Sequence, residues 1–155
     1  MTLLAKVLTV SDSVSQGTRE DRSGEELGRS LGEHGFSVVE RRLCADGVVP
    51  VATALGEMAA GFVGLLITSG GTGFAPTDLT PEATRSVIER QAPGLAEAMR
   101  TASPLGPLSR GVAGTIGQCL VLNLPGSPRG ALESLEAVIG VLPHALALLA
   151  GQQPH

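Results

Sequence analysis

Tryptophan and tyrosine are absent and phenylalanine occurs three times, so aromatics make up 2 % of the 155 residues. A stacking platform for single-stranded nucleic acid has no material here. Charge points the same way. The chain has 11 basic and 15 acidic residues, a net charge of −4, where a nucleic-acid binder normally carries a basic stripe. Lysine occurs once, as Lys6 within an apolar run, which disfavours Schiff-base chemistry. The three histidines, His34, His144 and His155, form no pair with metal-ligand spacing. Cys44 and Cys119 are far apart and in no CxxC pattern, so both are expected to be reduced residues of an intracellular protein. Long uninterrupted apolar runs are missing too. The uncharged stretch 58–77 contains five Gly and one Pro, and 137–151 is short and holds Pro143; no membrane span is expected from either. The opening MTLLAKVLTVSDS lacks a basic n-region and a small-residue cleavage site. The expectation is a cytoplasmic protein that binds neither membrane nor nucleic acid.

What the chain has is apolar content and glycine. It is 43 % hydrophobic, with a mean hydropathy of +0.25, enough for a buried core. The 21 Gly are nearly twice the usual share of about 7 % and call for a use in turns or close ligand approach. The length predicts one domain over residues 1–155.

Short apolar runs at Leu3–Val10, Val63–Thr68 and Cys119–Leu124 read as strands buried on both faces. Phe36–Leu43 alternates weakly and reads as a fourth. Ser11–Arg22 reads as a loop. Ser23-Gly-Glu-Glu26 fits a capping box opening a helix that ends at Gly35. Pro50 suits the first turn of a helix to Ala60. Thr80-Pro81-Glu82 combines a hydroxyl cap, Pro at the first helical position and an acid in the first turn, for a helix to about Arg90. A second short helix follows Pro93-Gly94 to about Thr101. Leu105–Gly117 is Gly-rich and irregular, with Val112 and Ile116 as short-strand candidates. Leu132, Leu135, Ile139, Leu142, Leu146 and Leu149 step by 3 or 4 and predict one long closing helix, kinked at Pro143. Strands alternating with helices predict an α/β fold, a three-layer αβα sandwich around a mostly parallel sheet.

Ligands of such sheets sit outside the carboxyl ends of the strands. There this sequence places Ser11, Asp12, Ser13 and Gly17, then Asp46, then Ser69-Gly70-Gly71-Thr72-Gly73 and Asp78, then Asn123 to Ser127. All four Asp (12, 21, 46 and 78) fall in predicted loops or at a helix start, whereas the eleven Glu lie mostly in or beside helices. Turn and cap propensity explains part of this. Carboxylates beside a Gly-rich loop also suit a Mg²⁺–phosphate ligand, since Mg²⁺ takes one or two carboxylates plus substrate phosphates. SGGTG after a strand is a candidate nest of N–H groups for an anion, or a plain tight turn. It is not a Walker loop, a GxGxxG fingerprint or a GxSxG elbow. Positive charge for phosphates must come from Arg, the loop amides or a metal; Arg110 and Arg129, both in predicted loops, are the best-placed arginines, or serve surface solubility.

Thr9-Val-Ser-Asp-Ser13, Asp21-Arg-Ser-Gly24, Thr68-Ser-Gly-Gly-Thr-Gly73, Asp78-Leu-Thr-Pro-Glu-Ala83, Leu108-Ser-Arg110, Ala113-Gly114 and Asn123-Leu-Pro-Gly-Ser-Pro128 occur in this order. In these blocks the chain resembles the MogA/MoaB molybdopterin-binding family, from about Lys6 to Leu149. The resemblance implies a three-layer fold assembled as a homotrimer, or a homohexamer in the MoaB-type branch. It implies Mg²⁺-dependent adenylylation of molybdopterin. The terminal phosphate of molybdopterin attacks the α-phosphate of ATP, pyrophosphate leaves, and the product goes to the molybdate-inserting enzyme. The family's catalytic, metal-holding acids fall on Asp46 and Asp78. Substrate contacts are expected at Ser11, Asp12, Ser13, Ser69, Gly70, Gly71, Thr72, Gly73, Pro81, Glu82, Ser109, Arg110, Asn123, Pro125, Gly126 and Ser127, with Asp12 on the pterin nitrogens. Two positions depart from the family pattern. Gly47 stands where a second acid often follows the first, and Thr77 where a basic residue often precedes Asp78. Three readings follow: an adenylyltransferase, a MoaB-type molybdopterin-binding protein or scaffold without turnover, and an α/β assembly protein whose glycines only make turns.

Overall fold

Alternation along each central strand sorts the core into two halves. On β1 (Leu3–Val10), Ala5 and Val7 face one side while Leu8 and Val10 face the other. On β3 (Gly64–Ser69), Leu65 and Ile67 oppose Leu66; on β6 (Cys119–Leu124), Leu120, Leu122 and Leu124 oppose Cys119 and Val121. Both faces must therefore be covered, which is why the strands read as continuous apolar runs. A computed structural model of the chain describes residues 2–153; Met1, Pro154 and the expected non-ligand His155 lie outside the described residues.

The first face packs against α2 (Arg22–Glu33), α5 (Pro93–Arg100), α6 (Pro128–Val138) and α7 (Leu142–Leu149). The second packs against α3 (Val48–Ala59) and α4 (Thr80–Val87). The six-stranded sheet runs β2-β1-β3-β6-β5-β4, where β2 is Phe36–Cys44, β4 Arg90–Gln91 and β5 Ala113–Ile116. The first four strands of that order are parallel; β5 and β4 join antiparallel at one edge. This is the expected three-layer α/β sandwich with a mostly parallel sheet. Chain direction diverges between β1 and β3, because β1 feeds a crossover to β2 on one side and β3 lies on the other. That divergence opens a crevice at the strands' carboxyl ends.

Several local expectations are corrected. The segment after β1 is not all loop: Asp12–Ser15 forms α1, one turn of helix capped by Ser11 Oγ, 3.3 Å from Val14 N. The capping box at Ser23 does not form. Asp21 caps α2 instead, accepting from Gly24 N at 3.0 Å, because its carboxylate also takes the Thr9 hydroxyl (2.9 Å) and Arg41 (3.0 Å). Ser23 is buried within the helix, 3.0 Å from Ser69 Oγ. Thr80 is the first residue of α4 rather than its cap, its hydroxyl donating to Gly70 O at 2.9 Å. That helix stops at Val87, since Arg90–Gln91 pair with Thr115 and Gly114 as β4. Val112 precedes β5 rather than joining it. The closing segment is two helices bent by 67° at 139–141, and Pro143 sits in the first turn of the second instead of kinking one rod.

Among the described residues no single helix is long and apolar enough to cross a membrane. Cys44 and Cys119 are free thiols on strands separated by β1 and β3. Burial pushes their pKa values up to about 11 and about 12, which leaves them protonated at neutral pH. Lys6 is consumed structurally: it donates to Met58 O at 2.9 Å, pairs with Glu40 at 3.3 Å and lies 4.3 Å over the Phe62 ring.

Candidate functional site

Two cavities open at the carboxyl edge of the sheet, of about 680 and 620 Å³. They share Gly71, Asp78, Gly126 and Ser127 as a common wall. The first is lined by apolar side chains from α5 and the turn after it, including Met99, Leu105 and Leu108, with Ser109 and Ser134 as polar points and Arg100, Arg129 and Glu133 as charged ones. The second lies at the crevice between β1 and β3. Its walls include Ser11, Asp46, Ser69 and Gly70, and a rim of mixed charge formed by Arg19, Glu20, Asp21 and Arg22.

The acid loops are held from both ends. Asp12 N donates to Asp46 Oδ2 at 3.1 Å, and Asp46 N donates to Asp12 Oδ1 at 2.9 Å. This reciprocal clamp fixes Asp46 at the end of β2 beside α1. Burial pushes the Asp46 carboxyl above its ordinary range; the Asp12 amide opposes this, and the charges of Asp12 and Asp78 push upward again. The fold therefore favours the protonated acid. That contribution is present below the unfolded value of about 3.9 and is lost as pH rises through the folded value. Asp46→Asn removes a charge that the apo fold disfavours while keeping an acceptor for Asp12 N. Thermal scans should show the variant melting above the parent at pH 7, with the gap closing as pH falls to about 3.9. An equal gap at both pH values would contradict the electrostatic origin.

Asp78 is fixed within its own turn. Its carboxylate accepts from Ala75 N at 3.0 Å, and its N–H donates to Ala75 O at 2.9 Å. Arg110 braces the same turn. Nε donates to Gly73 O (2.8 Å), one terminal nitrogen donates to Asp78 O (2.6 Å), and the fork closes on Glu82 at 2.8 Å. This pairing raises the Arg110 pKa and lowers that of Glu82. Arg110, Glu82 and the buried Pro81 thus stand behind the loop and line neither cavity. They were expected as substrate contacts; here Arg110, held by Glu82, braces the Asp78 turn. Arg129, expected in a loop, is in the first turn of α6 and pairs with Glu133 at 3.0 Å.

The SGGTG turn needs its glycines for shape. Gly70 has φ +109°, and a Cβ there would run into the Val10 carbonyl oxygen. The turn lies against the end of β1. Among the described residues the N–H groups of Gly71, Thr72 and Gly73 have no partner, while Thr72 O and Gly73 O accept from Arg110. Carbonyls are held from behind and amides are left free, as an anion nest requires. The departure at Gly47 also has a backbone reason. With φ +123° and ψ 158° at the start of α3, it occupies a region that is essentially glycine-only.

Other expected contacts separate into walls and scaffolding. Ser69 Oγ donates to Pro125 O at 2.8 Å and ties the two loops together. Gly126 and Ser127 belong to the shared wall, and Ser127 Oγ caps α6 through Gly130 N at 3.1 Å. Ser109 Oγ accepts from Gly111 N at 3.2 Å on the wall of the larger cavity. Ser13 Oγ lies 3.1 Å from Ser11 Oγ, and neither Ser13 nor Asp12 lines either cavity. Asn123 reaches the larger cavity, but its side chain is spent inside the fold. Nδ2 donates to Thr68 and Thr84 hydroxyls, both at 3.0 Å, and Oδ1 accepts from Val112 N at 3.1 Å. Asn123→Leu should cost about 2–4 kcal/mol by stranding these buried groups, lowering the melting temperature by roughly 5–12 °C. A variant melting within about 2 °C of the parent would show that the hub is dispensable.

Sequence reasoning missed Arg19, Arg22, Arg100 and Ser134 as wall residues. None lies in a recognisable motif, apart from Arg22 within the Asp21-Arg-Ser-Gly24 block. No group of three or more His, Cys, Asp or Glu among the described residues forms a cage for a metal ion.

Known proteins place this geometry. The family described as "Probable molybdopterin binding domain" matches residues 6–144. A molybdopterin adenylyltransferase of Helicobacter pylori strain J99 is 38 % identical over 94 % of this chain and 86 % of its own length. The solved structure of a MoaB molybdopterin biosynthesis enzyme from Thermus thermophilus superposes with a TM-score of 0.89 at 46 % identity, covering 97 % of this chain and 98 % of that one. A Mog protein from Mycobacterium ulcerans also gives 0.89, at 41 % identity over 98 % and 99 % of the two chains. The chain belongs to the molybdopterin-binding domain family of molybdenum cofactor biosynthesis.

Proposed function

We propose that this protein is a molybdopterin adenylyltransferase, joining the terminal phosphate of molybdopterin to the adenylyl group of ATP with release of pyrophosphate. The observation that carries the reading is the pair of cavities meeting at Gly71, Asp78, Gly126 and Ser127. A two-substrate transfer needs two sites whose reactive ends touch. The apolar-lined cavity suits the pterin, and the cavity with Asp46 and Asp78 suits the nucleotide's phosphates.

The residues fit Mg²⁺ held jointly with substrate. Each acid has one oxygen anchored by a backbone amide, Asp12 N on Asp46 and Ala75 N on Asp78. The protein alone supplies two carboxylates and no closed cage, as suits an ion that completes its shell with phosphates and water. When bound, the ion would supply charge neutralisation on the nucleotide phosphates. Asp46 and Asp78 would hold it, the amides of Gly71–Gly73 would orient a phosphate oxygen, and Arg110 would keep the Asp78 turn in place. No covalent nucleophile is required, because positioning and charge carry this class of reaction.

The proposal extends to assembly and partners. Exposed apolar side chains on and beside the β2 edge, Val39, Leu43 and Val49 among them, support a homotrimer or homohexamer. The product would pass to a molybdate-inserting enzyme, in the cytoplasm. Light scattering tests the assembly. Purified protein given molybdopterin and Mg²⁺–ATP tests the reaction: pyrophosphate and adenylyl-molybdopterin are expected. Tight pterin binding without ATP-dependent product would replace this reading with the binding-only one.

A further inference from the structure

Five of the ten arginines of this chain pair with a carboxylate in the folded protein, and a sixth is held by a backbone carbonyl. Arg41, Arg42, Arg85, Arg110 and Arg129 each pair with a carboxylate, and Arg100 donates to Gly111 O at 2.9 Å. Arg19 and Arg22 differ. Both line the cavity that contains Asp46 and Asp78, and among the described residues neither guanidinium has an ion pair or hydrogen bond. Their acidic neighbour Asp21 cannot serve them, since it is engaged by Thr9, Gly24 and Arg41. Glu20 is the remaining carboxylate on that rim, and it too is unpaired. Arg29 and Arg90, also without partners, line no part of this cavity. The 620 Å³ space is thus lined both by two guanidinia without a partner and by the carboxylates of Asp46 and Asp78.

Resting on the adenylyl-transfer reading, we propose that Arg19 and Arg22 grip the β- and γ-phosphates of the nucleotide and stabilise the departing pyrophosphate. The α-phosphate then lies at the shared wall of Gly71, Asp78, Gly126 and Ser127, with the tail of the triphosphate directed toward Arg19 and Arg22. In the transfer a bond forms between the terminal phosphate oxygen of molybdopterin and the α-phosphorus. The bond from that phosphorus to the bridging oxygen breaks, and its electron pair stays on pyrophosphate. Negative charge grows on that group as the bond lengthens. Guanidinium forks aimed at it form charge-assisted hydrogen bonds that strengthen along the reaction. Arginine suits this task better than lysine because two parallel N–H donors match two phosphate oxygens.

The test uses the full chain with Arg19→Ala, Arg22→Ala and the double variant, alongside the double Lys variant. Steady-state assays read KM for ATP and inhibition by pyrophosphate; fluorescence titration reads molybdopterin affinity. Each Ala change should raise the KM for ATP about tenfold, lower kcat as well, and weaken pyrophosphate inhibition about tenfold, with partial recovery in the Lys variant and molybdopterin affinity unchanged. Both side chains are solvent-exposed, so melting temperatures should match the parent. If the parent turns over and the double Ala variant keeps its KM and pyrophosphate inhibition, the assignment is overturned. If the parent makes no product, the adenylyl-transfer reading fails separately. Calorimetry with pyrophosphate alone then decides the grip: binding lost in the double Ala variant supports it, and absent or equal binding overturns it.

Discussion

Asp78→Asn is expected to abolish pyrophosphate release while leaving the fold intact. The Asn side-chain oxygen can still accept from Ala75 N, the bond that closes the Asp78 turn at 3.0 Å. Arg110 holds that turn through backbone carbonyls of Gly73 and Asp78, so its grip does not depend on the carboxylate. What disappears is the negative charge at the wall shared by the two cavities. Removing one preorganised electrostatic contact from a transfer site typically lowers turnover by about 10²–10³-fold. Melting temperature should stay within about 2 °C. A pyrophosphate-release assay run beside a thermal scan separates the two effects. Parent-like turnover in the variant would remove Asp78 from the chemistry.

Gly70→Ala is expected to give the largest loss of stability. The backbone at Gly70 has φ +109°, and the added methyl would meet the Val10 carbonyl oxygen at the end of β1. Backbone cannot yield as a flexible side chain would. An unfavourable dihedral costs about 1–3 kcal/mol and overpacking about 1–3 more. The sum is a large share of the marginal stability of a domain, about 5–15 kcal/mol. Thermal melting should fall by roughly 10 °C or more, or the variant should fail to accumulate. Activity should fall with it, since Gly70 O accepts the Thr80 hydroxyl that seats α4 behind the Asp78 loop. Conversely, Ala at Gly28, where a Cβ meets nothing within 4 Å in the interior of a helix, should leave stability equal or slightly higher. The contrast assigns the Gly70 effect to close approach rather than to glycine content.

Much of this architecture can be read from residue pattern. Three strands buried on both faces announce themselves as apolar runs between turn signals. The placement of Asp46, Asp78 and SGGTG after strands follows from chain order alone, and the fold brings them to one edge. Other features depend on contacts between distant segments. Asp21 and Ser23 are both good caps by type; Asp21 prevails because Thr9 and Arg41 come within reach of its carboxylate only after β1, β2 and α2 have packed. The pairing of Arg90–Gln91 with β5 has no signal in two polar residues. Arg110 reads as a loop cation free for phosphate, but its fork finds Glu82 and two carbonyls 32 and 37 residues upstream. Asn123 reads as a site wall, and its amide is taken by Thr68, Thr84 and Val112. Polar residues near a site are thus divided between chemistry and support by tertiary hydrogen bonding, which spacing in the sequence does not encode.

The central claim is that Asp46 and Asp78 jointly hold a divalent ion on the nucleotide's phosphates. The most direct measurement is a crystal structure of the protein with Mn²⁺ and a non-cleavable ATP analogue, read by anomalous scattering. The account predicts an anomalous peak ligated by carboxylate oxygens of both residues and by phosphate oxygens, with the α-phosphate beside Gly71 and Ser127. Nucleotide seated in the Met99-lined cavity, or a peak that neither carboxylate touches, would contradict it.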